Sequence, residues 1–280
     1  MTGARFVRVN AGNGHSYLLD GHTIPGVTTV IGQLDKPALV TWAARETAAY
    51  ADEHWTRLSG MRSADRIREL EGARYQTNRG AVIKGNRIHA LGQRLANGEQ
   101  IDAPAEIFPH VQSYARFLDA WELETLRTET PVCRTDYRYG GTLDLIARSD
   151  KLGTVLIDIK TGKRAYAEVA LQLTAYRYCD LALREVPRRG PRGGKLPSEW
   201  VEDTLPTIDR CAVALVHEDT VEMIPVVSDR HVWASFLHLL EIYETWGRRN
   251  DFKHREHPAF APVIGDAIHP EDNLERDPDE

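Results

Sequence analysis

The sequence predicts an α/β protein: a central mixed β-sheet flanked by helices, with an N-terminal helical region. Three observations point there. Apolar residues recur at spacings of three and four through much of the first 127 residues. The period shortens to two over residues 132–160, with turn signals between the runs. A helical period then returns before two more strand-like runs. With 280 residues, 42% of them hydrophobic and 27% charged, the chain has ordinary material for a globular core.

Taken in order, Phe6 to Asp20 reads as a hairpin around Asn10-Ala-Gly-Asn-Gly14, and Thr23 to Val30 as extended or turning. Pro37 opens a helix over roughly 37–58, through Leu39, Val40, Ala43, Ala44, Thr47 and Ala48. Residues 62–78 form a charged helix-like stretch. A separate helix covers Gly80 to Asn97, closed by Gly98. Pro109 to about Arg127 reads as a helix, with Val111, Tyr114, Phe117, Leu118, Trp121 and Leu126 recurring at three and four. Three strands follow, Val132–Tyr139, Gly141–Ala147 and Thr154–Lys160, punctuated by Gly140-Gly141 and Asp150-Lys-Leu-Gly153. A helix over about 166–184, a loop at 187–197, a hairpin from Arg210–His217 and Val221–Val227, and a helix over Val232–Gly247 complete the chain. Three regions are expected: an N-terminal hairpin and helical region over 1–78, a core over 79–262, and an acidic tail over 263–280.

The formal net charge is −6. Residues 265–280 hold seven acids and one base, so the tail carries the same −6 and the body is neutral, with 34 bases and 34 acids. Within the body, 57–95 has nine bases against three acids and 184–195 has five against one. Local potential rather than total charge decides which ligands are attracted, so the acidic total does not exclude nucleic acid. Taken alone, both basic segments read as solvated helix faces and a polar loop. No apolar run approaches the ~20 residues of a membrane helix, and the start of the chain lacks the apolar core of a secretory signal. Cys133, Cys179 and Cys211 lie far apart, which fits a reducing, cytoplasmic setting and no disulfide framework.

The stretch 139–176 carries the chemistry. Side chains alternate along a strand, so Val155, Ile157 and Ile159 share one face and Leu156, Asp158 and Lys160 the other. If the second and third strands pair, Asp144 and Asp158 converge with Lys160 beside them. Converged carboxylates repel and call for a cation, and oxygen ligands suit Mg²⁺ or Mn²⁺. Such an ion acidifies water and neutralises charge on a phosphate oxygen. Asp158-x-Lys160 by itself is as well explained by an exposed ion pair.

Taken together, Gly141-x-x-Asp144, Asp158-x-Lys160 and Gln172-x-x-x-Tyr176 resemble the PD-(D/E)XK nuclease superfamily. Within it they are similar to the branch of RecB-like nuclease domains, CRISPR-associated RecB-like exonucleases and phage exonucleases. The resemblance implies a restriction-endonuclease-like core with Asp144, Asp158 and Lys160 as the catalytic set, and with Gln172 and Tyr176 on the helix bordering the site. Gly85-x-x-x-His89 resembles the upstream helix on which such proteins carry a metal-ligating histidine. The implied metal ligands are His89, Asp144, Asp158 and the Ile159 carbonyl, holding Mg²⁺ or Mn²⁺. Glu129 stands where relatives carry a further acid; here it is either a secondary site acid or an exposed loop residue. The shorter segment Ile24 to Trp42 is similar to phage-encoded relatives. Iron–sulfur members use four cysteines, so no cluster is expected.

The resemblance implies a metal-dependent deoxyribonuclease, an exonuclease in phage or bacterial DNA recombination or repair. A non-catalytic DNA-binding or recombination-complex subunit and a structure-specific endonuclease are the alternatives. Its expected partners are single- or double-stranded DNA ends, not a membrane, with a recombinase, a single-strand-binding protein or further copies of the chain left open. Arg79, Lys84, Arg87, Lys163, Arg188, Arg189 and Arg192 are the candidate DNA-contacting cations, and Trp55 and Tyr75 candidate stacking residues. His254 and His257 read as surface.

Overall fold

The computed structural model describes residues 5–11, 14–191 and 194–247. Two compact units divide the chain, Met1–Phe236 and Leu237–Glu280. The first is an α/β unit with a seven-stranded mixed sheet and a separate three-stranded antiparallel sheet.

The small sheet comes first: β1 (Phe6–Ala11), β2 (Gly14–Leu19) and β3 (His22–Ile24), with the expected hairpin pairing Phe6 to Leu19. Residues 27–31 form a short helix, α1 (Val27–Ile31), where extended or turning chain was expected. The Gly26 carbonyl accepts from the Thr29 and Val30 N–H groups, and Val27, Val30 and Ile31 are buried. The helix opened by Pro37, α2 (Pro37–Glu53), stops at His54, and α3 (Trp55–Ser59) restarts from it, so the expected 37–58 helix is two.

The two helices expected over 62–97 are one, α4 (Ser63–Ala96). Gly80 suggests a break in the sequence, yet a Cβ at Gly80, as at Gly72, would meet nothing within 4 Å. Both glycines ride an open face, and the packing of Ile88, Leu91 and Leu95 against the core outweighs their low helix propensity. The division expected at 78/79 falls inside this helix; the one at 262/263 lies outside the described residues.

After α5 (Phe108–Ala120), Glu122 takes a φ of 52° and turns the chain into β4 (Glu124–Arg134). Residues 124–127, expected as the end of a helix, are therefore strand. β5 (Tyr139–Ser149), β6 (Gly153–Lys160) and α6 (Glu168–Arg177) follow. The chain then enters β7 (Leu181–Arg189) and β8 (Lys195–Asp203), where the end of a helix and a loop were expected. The Asp180 N–H donates to the Cys133 carbonyl and Leu181 pairs with Cys133, so the chain joins the edge of β4 at once. Past Leu183, β7 is largely exposed, so its arginines gave no apolar alternation to read. β9 (Arg210–Val216), β10 (Val221–Val226) and α7 (Arg230–Ile242) complete the sequence, with Tyr243–Gly247 as a π-helical turn.

The strand order is β10-β9-β6-β5-β4-β7-β8, with β6 and β9 parallel and the other neighbours antiparallel. Leu145, Ala147, Val155, Ile157, Ile159, Ala212 and Ala214 pack with Ile88 of α4 and Tyr114 and Phe117 of α5. Phe6, Tyr17, Leu19 and Ile24 of the small sheet pack with Cys133 and Leu183. Among the described residues, no helix is long and apolar enough to cross a membrane.

Candidate metal and active site

The central strands β4, β5 and β6 bring three acids into a row. Thr128 pairs with Leu145 and Thr130 with Leu143, which sets Glu129 opposite Asp144. Leu145 pairs with Ile157, the last rung between β5 and β6, so the next residues outward are Asp144 and Asp158. There the backbone ladder gives way to side chains: the Ile159 N–H donates to Asp144 Oδ2 at 2.8 Å. Glu129 has a φ of 43°, in the left-handed region that a non-glycine residue adopts at a cost of about 1–2 kcal/mol.

His89 of α4 sits between two of these acids. Its Nε2 lies 3.0 Å from Asp144 Oδ2 and its Nδ1 3.1 Å from Glu129 Oε1. Gly85, one turn earlier, brings α4 close to the end of β6: a Cβ there would stand 2.9 Å from Thr161 Oγ1. This gives the Gly-x-x-x-His spacing a packing reason. The Asp144 hydrogen bond raises the His89 pKa above 6.5, against a lowering by burial. Burial raises the Glu129 pKa above 4.5, partly offset by His89.

Asp158 is buried, 2% exposed. Its Oδ1 accepts from Lys160 Nζ at 2.8 Å and from Gln172 Nε2 of α6 at 3.0 Å. Its Oδ2 lies 2.7 Å from the same ammonium but outside hydrogen-bond geometry, which leaves a buried oxygen without a hydrogen-bond donor. Burial and the Asp144 charge push the Asp158 pKa up to about 6 despite Lys160.

Ligand atoms of His89, Glu129 and Asp144 lie within 4.8 Å of one another, close enough to share an ion. One imidazole nitrogen with carboxylate oxygens is a donor set suited to Mg²⁺ or Mn²⁺, the nitrogen favouring Mn²⁺. The underused Asp158 Oδ2 beside this group is a further oxygen of the same kind. The residues therefore fit a divalent cation, but the grouping differs from the expected one. Glu129 joins His89 and Asp144, whereas Asp158 turns to Lys160 and Gln172. The Ile159 N–H is engaged by Asp144.

Of the expected helix residues, Gln172 touches the site and Tyr176 underlies it. Tyr176 is buried, and a Cβ at Gly141 would collide with its ring. The Gly140-Gly141 pair thus lets Tyr17 and Tyr176 approach β5 from either side. Arg8, which sequence spacing did not flag, is brought near Glu129 by the small sheet and lowers its pKa. No local motif announces that long-range approach.

The expected DNA-contacting cations divide. Lys84 pairs with Glu218, Arg87 with Glu106 and Arg188 with Glu199. Lys163 and Arg189 are exposed, while the side chain of Arg79 and all of Arg192 lie outside the described part. Along the basic segment, Arg57, Arg62, Arg68 and Arg94 also have acid partners. Trp55 and Tyr75 are exposed, with the Arg74 guanidinium 4.6 Å above the Tyr75 ring. His254, His257 and the acidic tail lie outside the described residues. Cys133, Cys179 and Cys211 are buried thiols.

Compared with known protein families and with curated proteins, the chain matches none.

Proposed function

We propose that this chain is a divalent-metal-dependent deoxyribonuclease of the PD-(D/E)XK kind, cutting phosphodiester bonds from DNA ends. The observation that carries this reading is the meeting of Glu129, Asp144 and Asp158 from three adjacent strands with His89 and Lys160. Three carboxylates gathered at one end of adjacent central strands repel one another when ionised, and a bound cation relieves that repulsion. When bound, the ion would supply a water made acidic enough to attack at neutral pH, together with charge neutralisation at the phosphate.

The chain's own groups divide the remaining work. His89, Glu129 and Asp144 hold the ion, and Asp158 presents its free Oδ2 beside them. Gln172 fixes the Asp158 carboxylate by donating to Oδ1. Lys160, half exposed, sits where its ammonium can position the attacking water and stabilise charge on the phosphate. Tyr176 and Gly141 set the spacing of α6 against β5. Mg²⁺ or Mn²⁺ is the proposed cofactor, and DNA ends the partner.

The test is digestion of end-labelled single- and double-stranded DNA with Mg²⁺ or Mn²⁺, wild type beside Asp158→Ala and Lys160→Ala. Wild type should shorten labelled strands and both variants should not. Closed circular single-stranded DNA should survive an end-dependent enzyme. Digestion that persists in both variants overturns the reading.

A further inference from the structure

We propose that a groove between the start of α2 and the loop 161–167 is a subsite for one unpaired nucleotide of the strand being cut. The base lies against Tyr166, Trp42 and Leu39, and its phosphate on Lys163 and Arg164. This rests on the nuclease reading and names where the strand lies in it.

The groove encloses about 820 Å³, within the range of small-ligand sites. Its walls are mostly apolar yet left in water: Tyr166 and Leu39 are each 54% exposed. Large exposed apolar side chains gathered around one concavity mark a binding surface. The aromatic ring there already attracts a planar cation, since the Arg164 guanidinium lies 4.8 Å from the Tyr166 centroid. A nucleobase offers a planar face of the same kind, and sequence-tolerant stacking on aromatic rings is how single strands are held.

Charge selects the occupant. Lys163 and Arg164 have no acid within ion-pair distance among the described residues. Of the acids lining the groove, Glu168 is bound to Lys36 at 3.0 Å and Asp35 is the other. Apolar walls beside two unpaired cations match a base with its phosphate better than an apolar peptide, which would leave both cations unanswered.

Continuity with the site fixes the direction. The loop 161–167 runs straight from Lys160 into α6. Glu168 at the groove and Gln172 on Asp158 are four residues apart on α6, neighbours on one face separated by about one turn, ~5.4–6 Å. A strand whose phosphate reaches Lys160 therefore has its adjoining nucleotide at the groove. A base stacked and paired in a duplex cannot enter, so the groove selects a single-stranded end.

The test measures binding apart from cleavage. Fluorescence anisotropy in EDTA follows a labelled twelve-nucleotide oligothymidylate bound to wild type, Tyr166→Ala, Tyr166→Phe and a Lys163→Gln/Arg164→Gln double variant. Tyr166→Ala should weaken binding about tenfold, the usual effect of losing one stacking ring. Tyr166→Phe, which keeps the ring, should stay within about twofold. The double variant should weaken binding and flatten its salt dependence. An abasic position scanned along the oligonucleotide should weaken wild type at one place and Tyr166→Ala at none. Tyr166 is exposed, so its variants should melt with wild type. If wild type binds and cuts single strands while Tyr166→Ala binds them equally well, the subsite is overturned and the nuclease reading stands. If wild type neither binds nor cuts DNA, both fall.

Discussion

Replacing Asp158 by asparagine should stabilise the metal-free protein at neutral pH, although it removes a proposed catalytic group. The carboxyl is buried with a native pKa of about 6, against 3.8 for the unfolded chain. Between those values the native state binds more protons than the unfolded state, so this group's contribution to stability falls as pH rises from about 4 to 6. Above pH 6 the full cost applies, on the order of a few kcal/mol. Asparagine resembles the protonated acid: its Oδ1 still accepts from Gln172 and Lys160, while its amide faces the ammonium that lay 2.7 Å from Oδ2. The net gain expected is about 1–3 kcal/mol at pH 7.5, a rise in melting temperature of several degrees. The assay is urea denaturation in EDTA at pH 4.5 and 7.5. The variant should gain at pH 7.5 and little at pH 4.5. Saturating Mn²⁺ should narrow or reverse the order, because wild type gains more from binding the ion. An Asn variant less stable than wild type in EDTA at pH 7.5 would refute the reasoning.

Stabilisation by Mn²⁺ should grow with pH between about 5.5 and 8, read as a thermal shift, because His89 and Glu129 both have raised pKa values and must shed protons to ligate; an equal shift at both ends would contradict the grouping. Gly141→Ala should cost about 2 kcal/mol or more in urea denaturation, since the added Cβ meets the Tyr176 ring in a packed core. Gln172→Leu should lower the cleavage rate while leaving the Mn²⁺ midpoint within about threefold, because Gln172 holds Asp158 rather than the His89 group. Glu129→Gln should weaken the Mn²⁺ midpoint by about tenfold or more, whereas an exposed loop residue would leave it unchanged.

What sequence could reveal followed the range of the interactions. Asp144, Asp158 and Lys160 were legible because strand alternation and one pairing assumption are enough to bring them together, and the β5–β6 register does so. His89 and Gln172 were legible only through the resemblance of Gly85-x-x-x-His89 and Gln172-x-x-x-Tyr176 to the nuclease pattern. Glu129 was ambiguous because its place depends on the β4–β5 register and on a left-handed backbone that no side-chain pattern encodes. Arg8 was invisible, since only the packing of the small sheet on β4 and β7 brings it near. Helix ends failed where a tertiary partner took over: Gly80 reads as a break, yet α4 runs through it. β7 reads as the end of a helix and then a loop because its solvated arginines hide the strand period.

The same distinction governs charge. The nine bases of 57–95 suggest a surface for phosphates, but Arg57, Arg62, Arg68, Lys84, Arg87 and Arg94 each face an acid. Exposed pairs of this kind contribute little to stability, yet each paired acid offsets the charge its cation offers a passing phosphate. Around the acid row the balance is reversed. Lys163 and Arg164 follow Lys160 within four residues and have no acid partner among the described residues, while His89, Glu129 and Asp144 lie close enough together to share an ion. A polyanion approaching this end of the central strands meets positive charge on the 160–164 side and negative charge on the other. If the nuclease reading holds, that polarity orients the strand before any base is touched. Reversing it with Lys163→Glu and Arg164→Glu should then slow association far more in low salt than in high salt.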